Sequence, residues 1–182
     1  LGKSVTEIAN MWGVSPVDAA FRLLVEEELD VSMLEFEIDE GDVREVMAHP
    51  YVMIGSDSTC SALDGPLSIS AHRLHPRTFG TFPRILGKYV REEKVVRLEQ
   101  AVNKMTGMPA NRMRLADRGI VRPGMKADIV LFDPNTIAEK ATWENPAQYP
   151  VGIEYVMING VLAVENQEHT GSIAGRVLRR GD

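Results

Sequence analysis

The chain has 182 residues, 44% of them hydrophobic and 25% charged, which is enough for one domain or one and a half; a compact fold of this size buries roughly 70% of its unfolded surface. A net charge of −6 argues against general nucleic-acid affinity, which depends on neutralising many phosphates, and no stretch approaches the roughly 20 apolar residues of a membrane span. The one cysteine, Cys60, excludes an intrachain disulfide framework. With no signal peptide at its start, the chain is expected in a reducing cytoplasm and in contact with a small molecule. It begins at Leu1 and runs directly into helix-like sequence, so it reads as a piece of a longer protein.

Ser15-Pro16-Val17-Asp18 predicts a helix start: Ser15 caps, Pro16 costs no hydrogen bond in the first turn, and Asp18 suits the dipole. Val17, Ala20, Phe21, Leu24 and Val25 then mark a core-facing stripe. Residues 31–36 suit a short strand, Asp39 caps a helix carrying Val43, Val46 and Met47 on one face, and His49-Pro50 ends it. Residues 51–55 form a second apolar run. Strand, helix, strand predicts a βαβ unit with parallel strands, hence an α/β layer.

After a loop over 57–76, a helix is expected from near Thr81 to Tyr89. Another carries Leu98, Ala101, Val102 and Met105 and ends before Gly107, and a further turn starts at Pro109. Residues 127–132 read as a strand, and 153–158 pairs with 161–165 across Asn159-Gly160, a type I′ hairpin signal. Pro134 just before it, Pro146 and Pro150 within it, and few periodic apolar positions predict an irregular excursion over 135–150. The pattern divides the chain into 1–117 and a β-rich 118–182.

Asp57 stands just beyond the C-terminal end of the predicted strand 51–55, the end where parallel α/β architectures collect reacting groups. On pattern alone it reads equally as a loop aspartate capping a turn. Arg77 has a guanidinium able to hold a carboxylate bidentately, or to neutralise Glu92 or Glu93 at the surface. Arg73, Arg77, Arg84, Lys88, Arg91, Lys94 and Arg97 recur at helical spacing and read as a solvated face rather than an anion-steering patch.

The stretch Val52-Met53-Ile54-Gly55-Ser56-Asp57 and the block from His75-Pro76-Arg77-Thr78-Phe79-Gly80 to Tyr89-Val90-Arg91-Glu92 resemble N-acyl-D-amino-acid deacylases (D-aminoacylases) of the amidohydrolase superfamily. Met105-Thr106-Gly107-Met108-Pro109-Ala110, Asp117-Arg118-Gly119, and residues 124–134 and 150–160 extend the resemblance over nearly the whole chain. It implies that 1–117 is the last part of a (β/α)8 barrel and that 118–182 supplies C-terminal strands of a small β-sandwich, both incomplete as given. It also implies a zinc enzyme that hydrolyses the linear amide of N-acyl-D-amino acids. There the aspartate closing the last barrel strand serves as general base beside the metal, and Asp57 matches it, with a weaker expectation that Asp57 also touches the metal. The arginine of His-Pro-Arg, here Arg77, is similar in place to one that binds the substrate's α-carboxylate. The sequence departs from the family in Ser58-Thr59-Cys60-Ser61, where a glycine often follows the aspartate.

The family's metal histidines come from a His-x-His on the first strand and from middle strands. His75, His72 and His49 therefore do not inherit that role, nor does Cys60 inherit that of the family's metal cysteine. A catalytic zinc takes about three protein ligands plus water. The chain alone is accordingly expected to bind no zinc tightly, to be inactive, and either to self-associate or to need a missing N-terminal portion. Two other readings stay open. One is a non-catalytic C-terminal module completing another subunit. The other is a cyclic-amide hydrolase of dihydroorotase or hydantoinase type, which shares the last-strand aspartate and a tail like residues 124–130.

Overall fold

The computed structural model describes residues 2–33, 35, 37–63 and 74–181, which fall into two compact units, Leu1–Glu37 and Ile38–Asp182. In the first unit α1 (Val5–Trp12) packs on α2 (Pro16–Glu26). Ser4 opens α1 with a capping box, its hydroxyl accepting the Glu7 N–H at 3.2 Å while the Glu7 carboxylate accepts the Ser4 N–H at 2.7 Å. Ser15 caps α2 as the sequence predicts. The small side chains of Ala9 and Ala19 are buried, whereas Val17, Phe21 and Val25 of the predicted core-facing stripe stay exposed, since within this unit α2 has only α1 to pack against. Of the predicted strand 31–36, residues 31–33 and 35 have no regular structure, and Leu34 and Phe36 lie outside the described residues.

In the second unit the Asp39 carboxylate accepts the Gly41 N–H at 2.6 Å and opens α3 (Glu40–Ala48), which stops before Pro50 as predicted. Residues 51–55 form no strand ladder. The Ile54 N–H instead donates to the Lys104 carbonyl at 3.1 Å, so the expected parallel pairing of this segment is replaced by bonding to a helix end. A parallel strand gets regular hydrogen bonds only from flanking strands, and α5 (Leu98–Met105) takes that place here.

Helix α4 (Arg77–Arg84) begins earlier than the predicted Thr81, because Pro76 at φ −50° is already helical and the His75 ring caps it, Nδ1 accepting the Arg77 N–H at 3.0 Å. Pro83 has no N–H to give the preceding turn, and beyond it the helix continues as a π-helix, Ile85–Glu92. Helix α6 (Gly107–Met113) starts two residues before the expected Pro109, whose missing N–H falls harmlessly in the first turn.

The core joins Met47, Ile85, Leu86, Tyr89, Val96, Ala101 and Ile137, each of the larger side chains contributing about 1.5–3 kcal/mol by burial. Ile137 comes from the irregular 135–150 excursion and is 1% exposed. Two glycines make room for it. A Cβ on Gly87 would stand 2.8 Å from the Ile137 carbonyl oxygen, and one on Gly152, at φ +81°, would stand 2.5 Å from the Ile137 Cα.

The sheet is an antiparallel meander of β1 (Ile129–Phe132), β2 (Ile153–Ile158), β3 (Val161–Glu165) and β4 (Glu168–His169) in that order. The Asn159-Gly160 turn has φ of 49° and 85°, the two positive values a type I′ hairpin needs. The sheet is tied to the preceding loop by buried Arg118, whose guanidinium pairs with Asp117 and Asp128, while Asp128 accepts the Asn159 N–H at 2.7 Å.

The basic residues on the π-helix are not a simple solvated face. Glu40 accepts from Lys88 at 2.9 Å, Arg84 at 3.0 Å and the Tyr89 hydroxyl at 2.9 Å; Arg84 also meets Glu139, and Arg91 donates to the Ile137 carbonyl at 2.7 Å. Three cations of that run are thus engaged in binding the π-helix to α3 and to the excursion. Arg73 lies outside the described residues.

The Lys88 hydrogen bond, helped by Tyr89 and Arg84 and opposed by burial, lowers the Glu40 carboxyl from 4.5 to about 2. A carboxyl lowered on folding stabilises the protein fully above its unfolded value and stops doing so as pH falls through the folded one, here between about 4.5 and about 2. Glu40→Gln is expected to cost about 1 kcal/mol at neutral pH, the scale of a partly exposed network after solvent screening, and to flatten the acid limb in that window. Urea midpoints of both proteins measured from pH 7 to pH 2.5 check this, and an unaltered acid limb would remove Glu40 from the account.

Candidate catalytic site

Asp57 ends the extended segment at φ 50°, a left-handed conformation that aspartate tolerates better than most side chains. Its carboxylate is 88% exposed, and Oδ2 accepts from Nη1 of Arg77 at 2.9 Å. The sequence places these residues twenty positions apart, and the fold brings them together at the first turn of α4. Alongside, the Ser58 hydroxyl donates to the Thr78 hydroxyl at 2.8 Å, a second tie between the loop and the helix. The Thr81 hydroxyl donates to the Arg77 carbonyl at 2.8 Å. Asp57, Ser58, His75, Arg77 and Thr78 line a cleft of about 460 Å³.

The wall behind this cleft is built by the excursion. Trp143 meets the His75 ring edge to face, with centroids 4.7 Å apart, and Tyr149 meets Phe79 in the same way at 5.2 Å. The Tyr149 hydroxyl also accepts the Leu63 N–H at 3.4 Å. His75 is held below its usual value by burial and then by the Arg77 guanidinium, with Asp57 opposing. The neutral ring suits its role, because Nδ1 must accept the Arg77 N–H.

Arg77 does not neutralise the nearby carboxylates that sequence allows: Glu92 pairs with Arg91 at 3.0 Å, and Glu93 with Arg44 at 2.8 Å. Cys60 is an exposed free thiol, and His49 Nδ1 accepts the Tyr51 N–H at 3.4 Å. His72 lies outside the described residues. Sequence reasoning missed Ser58, Thr78, Trp143 and Tyr149. Ser58 alone carried a signal, as the residue standing where a glycine often follows the aspartate.

Among the described residues no three His, Cys, Asp or Glu side chains come together closely enough to hold a metal ion. Asp57 could give one ligand of the roughly three that a catalytic zinc takes, so this donor set does not by itself fit zinc.

A family model described as "Amidohydrolase family" matches residues 4–164. The N-acyl-D-glutamate deacylase of Alcaligenes xylosoxydans xylosoxydans is 42% identical over 98% of this chain and 34% of its own length. The crystal structure of a D-aminoacylase superposes with a TM-score of 0.82 at 44% identity, covering 98% of this chain and 35% of that one. The N-acyl-D-glutamate deacylase of Bordetella bronchiseptica, solved with zinc and a phosphonate mimic of the tetrahedral intermediate, superposes at 0.75 and 40% identity, covering 89% of this chain and 31% of that one. The chain spans about a third of the length of these relatives.

Opposite charges beside His75 act on it in opposite directions. Arg77→Gln should raise the His75 titration midpoint and Asp57→Asn should lower it further. NMR titration of the imidazole checks both, and movement of the two variants in the same direction would break the three-residue cluster.

Proposed function

The chain belongs to the amidohydrolase family, and from that premise we propose that the whole protein hydrolyses the linear amide of N-acyl-D-amino acids, with this chain contributing the general base and the substrate's carboxylate anchor. The observation that carries the proposal is the meeting of Asp57 and Arg77 at 2.9 Å on the wall of the cleft. An exposed guanidinium fork that already holds one carboxylate can hold another. An incoming α-carboxylate takes the place of Asp57 on Arg77, which fixes the substrate and releases Asp57 Oδ2. Asp57 then accepts the proton of the water that attacks the amide carbonyl, and passes it to the departing amine as the carbon–nitrogen bond breaks. Ser58 and Thr78 hold the loop and the helix at the spacing this exchange requires.

The relatives' zinc supports a metal in the whole protein, held chiefly by residues other than those of this chain. In the same reading, 1–117 is the C-terminal part of a (β/α)8 barrel and 118–182 contributes β-sandwich strands. The exposed Ile129, Val130 and Leu131 of edge strand β1 support contact with further strands or a second copy. No helix among the described residues is long and apolar enough to cross a membrane. The single, free Cys60 supports a cytoplasmic setting.

In the whole protein Asp57→Asn should lower kcat by about a thousandfold or more with little change in KM, whereas Arg77→Lys should raise KM more than it lowers kcat, because a point charge replaces a planar fork. Steady-state kinetics on N-acetyl-D-amino acids decide this, and an Asp57→Asn variant keeping a tenth of normal turnover rejects the assignment. The 182-residue chain by itself should bind no stoichiometric zinc and release no amino acid. Metal analysis showing about one tightly held zinc per chain would mean that the ligands lie within it.

A further inference from the structure

Lys104 lies on α5 and is only 4% exposed, an unusual setting for a lysine; unlike buried Arg118, which pairs with Asp117 and Asp128, its ammonium is held by backbone carbonyls. Its Nζ donates to the His49 carbonyl and, at 2.9 Å, to the Val52 carbonyl, while its own backbone carbonyl accepts the Ile54 N–H at 3.1 Å. One residue thus makes three hydrogen bonds to the six-residue segment that leads to Asp57. Two of the three close a gap left by local structure, and the third adds a charged donor to the His49 carbonyl, which also accepts the Val52 N–H at 3.2 Å. The His49 carbonyl belongs to the C-terminal end of α3, where carbonyls lack intrahelical donors and a cation is favoured. The Lys104 carbonyl is likewise an orphan at the end of α5, and residues 51–55 have no strand ladder to satisfy their backbone.

We infer that Lys104 is the positioning residue for Asp57, clamping residues 49–54 so that the chain emerges with the Asp57 carboxylate on Arg77 and in the cleft. The inference rests on the reading of Asp57 as general base. Lys104 touches neither the cleft lining nor Arg77, so it acts only through the backbone it holds. A methionine there keeps the length of the stem but takes the ammonium from both carbonyls, leaving His49 with only the Val52 N–H at 3.2 Å and Val52 without its Lys104 donor. The segment then drifts, and a displacement of about 1 Å at a reacting group can cost about a hundredfold in rate.

Two measurements test this. In the 182-residue chain, Lys104→Met should speed amide exchange across residues 52–55 at least tenfold while the hairpin of β2 and β3 keeps its wild-type protection. In the whole protein, Lys104→Met should lower kcat on an N-acetyl-D-amino acid by about 10- to 100-fold with KM within about twofold, and Lys104→Arg, which keeps charged donors, should recover most of the loss. If Lys104→Met does not fold, Lys104→Gln takes its place, with the same directions at smaller size. Unchanged exchange at 52–55 overturns the clamp whatever the kinetics show. Full kcat in Lys104→Met beside an inactive Asp57→Asn overturns the positioning role and leaves the base assignment standing. An active Asp57→Asn overturns the base assignment itself, and with it the link from Lys104 to catalysis.

Discussion

Every backbone N–H and C=O taken out of water needs a partner, and residues 49–55 meet that demand without a sheet. The His49 and Val52 carbonyls turn to the buried ammonium of Lys104, and the Ile54 N–H turns to the end of α5. The conformation of the segment is therefore set by a tertiary contact spanning about fifty residues of sequence. The left-handed turn at Asp57 comes three residues after the Ile54 bond to α5.

The opposite wall of the cleft is fixed by different physics. Arg77 sits in the first turn of α4, and α4 runs on into a π-helix whose residues Ile85, Leu86 and Tyr89 are buried. On its polar side the same helix is held by Glu40 from α3 and Glu139 from the excursion, each taking a guanidinium or ammonium donor. Apolar burial supplies most of the energy, and the charged web fixes the register between elements. Segment 135–150 carries no periodic pattern, yet it contributes the most deeply buried large side chain, Ile137, and the two aromatic rings that back α4.

The chain is close to deacylases over almost all of its own length while spanning about a third of theirs. Three features of the structure stand beside this. The segment expected as a parallel strand has a helix end as its partner, the sheet edge at β1 shows apolar side chains to solvent, and the donor set around Asp57 does not by itself fit a metal.

The sequence by itself determined the elements whose cause is local. Ser15 and Asp39 cap their helices, His49-Pro50 ends α3, and Asn159-Gly160 makes a type I′ turn, because capping and φ preference are decided within a few residues. The motifs around Asp57 and Arg77 also marked the two residues that meet in the cleft. Other outcomes were decided only by tertiary structure. Residues 51–55 have strand-like composition but no neighbouring strand among the described residues to pair with, and α4 starts early because the side chain of His75 caps it. Lys104, Ile137 and Glu40 look ordinary in the sequence, where a lysine or glutamate on a helix face predicts solvent. Their roles come from partners some 44 to 55 residues away, whose proximity is a property of the folded chain and of no local pattern.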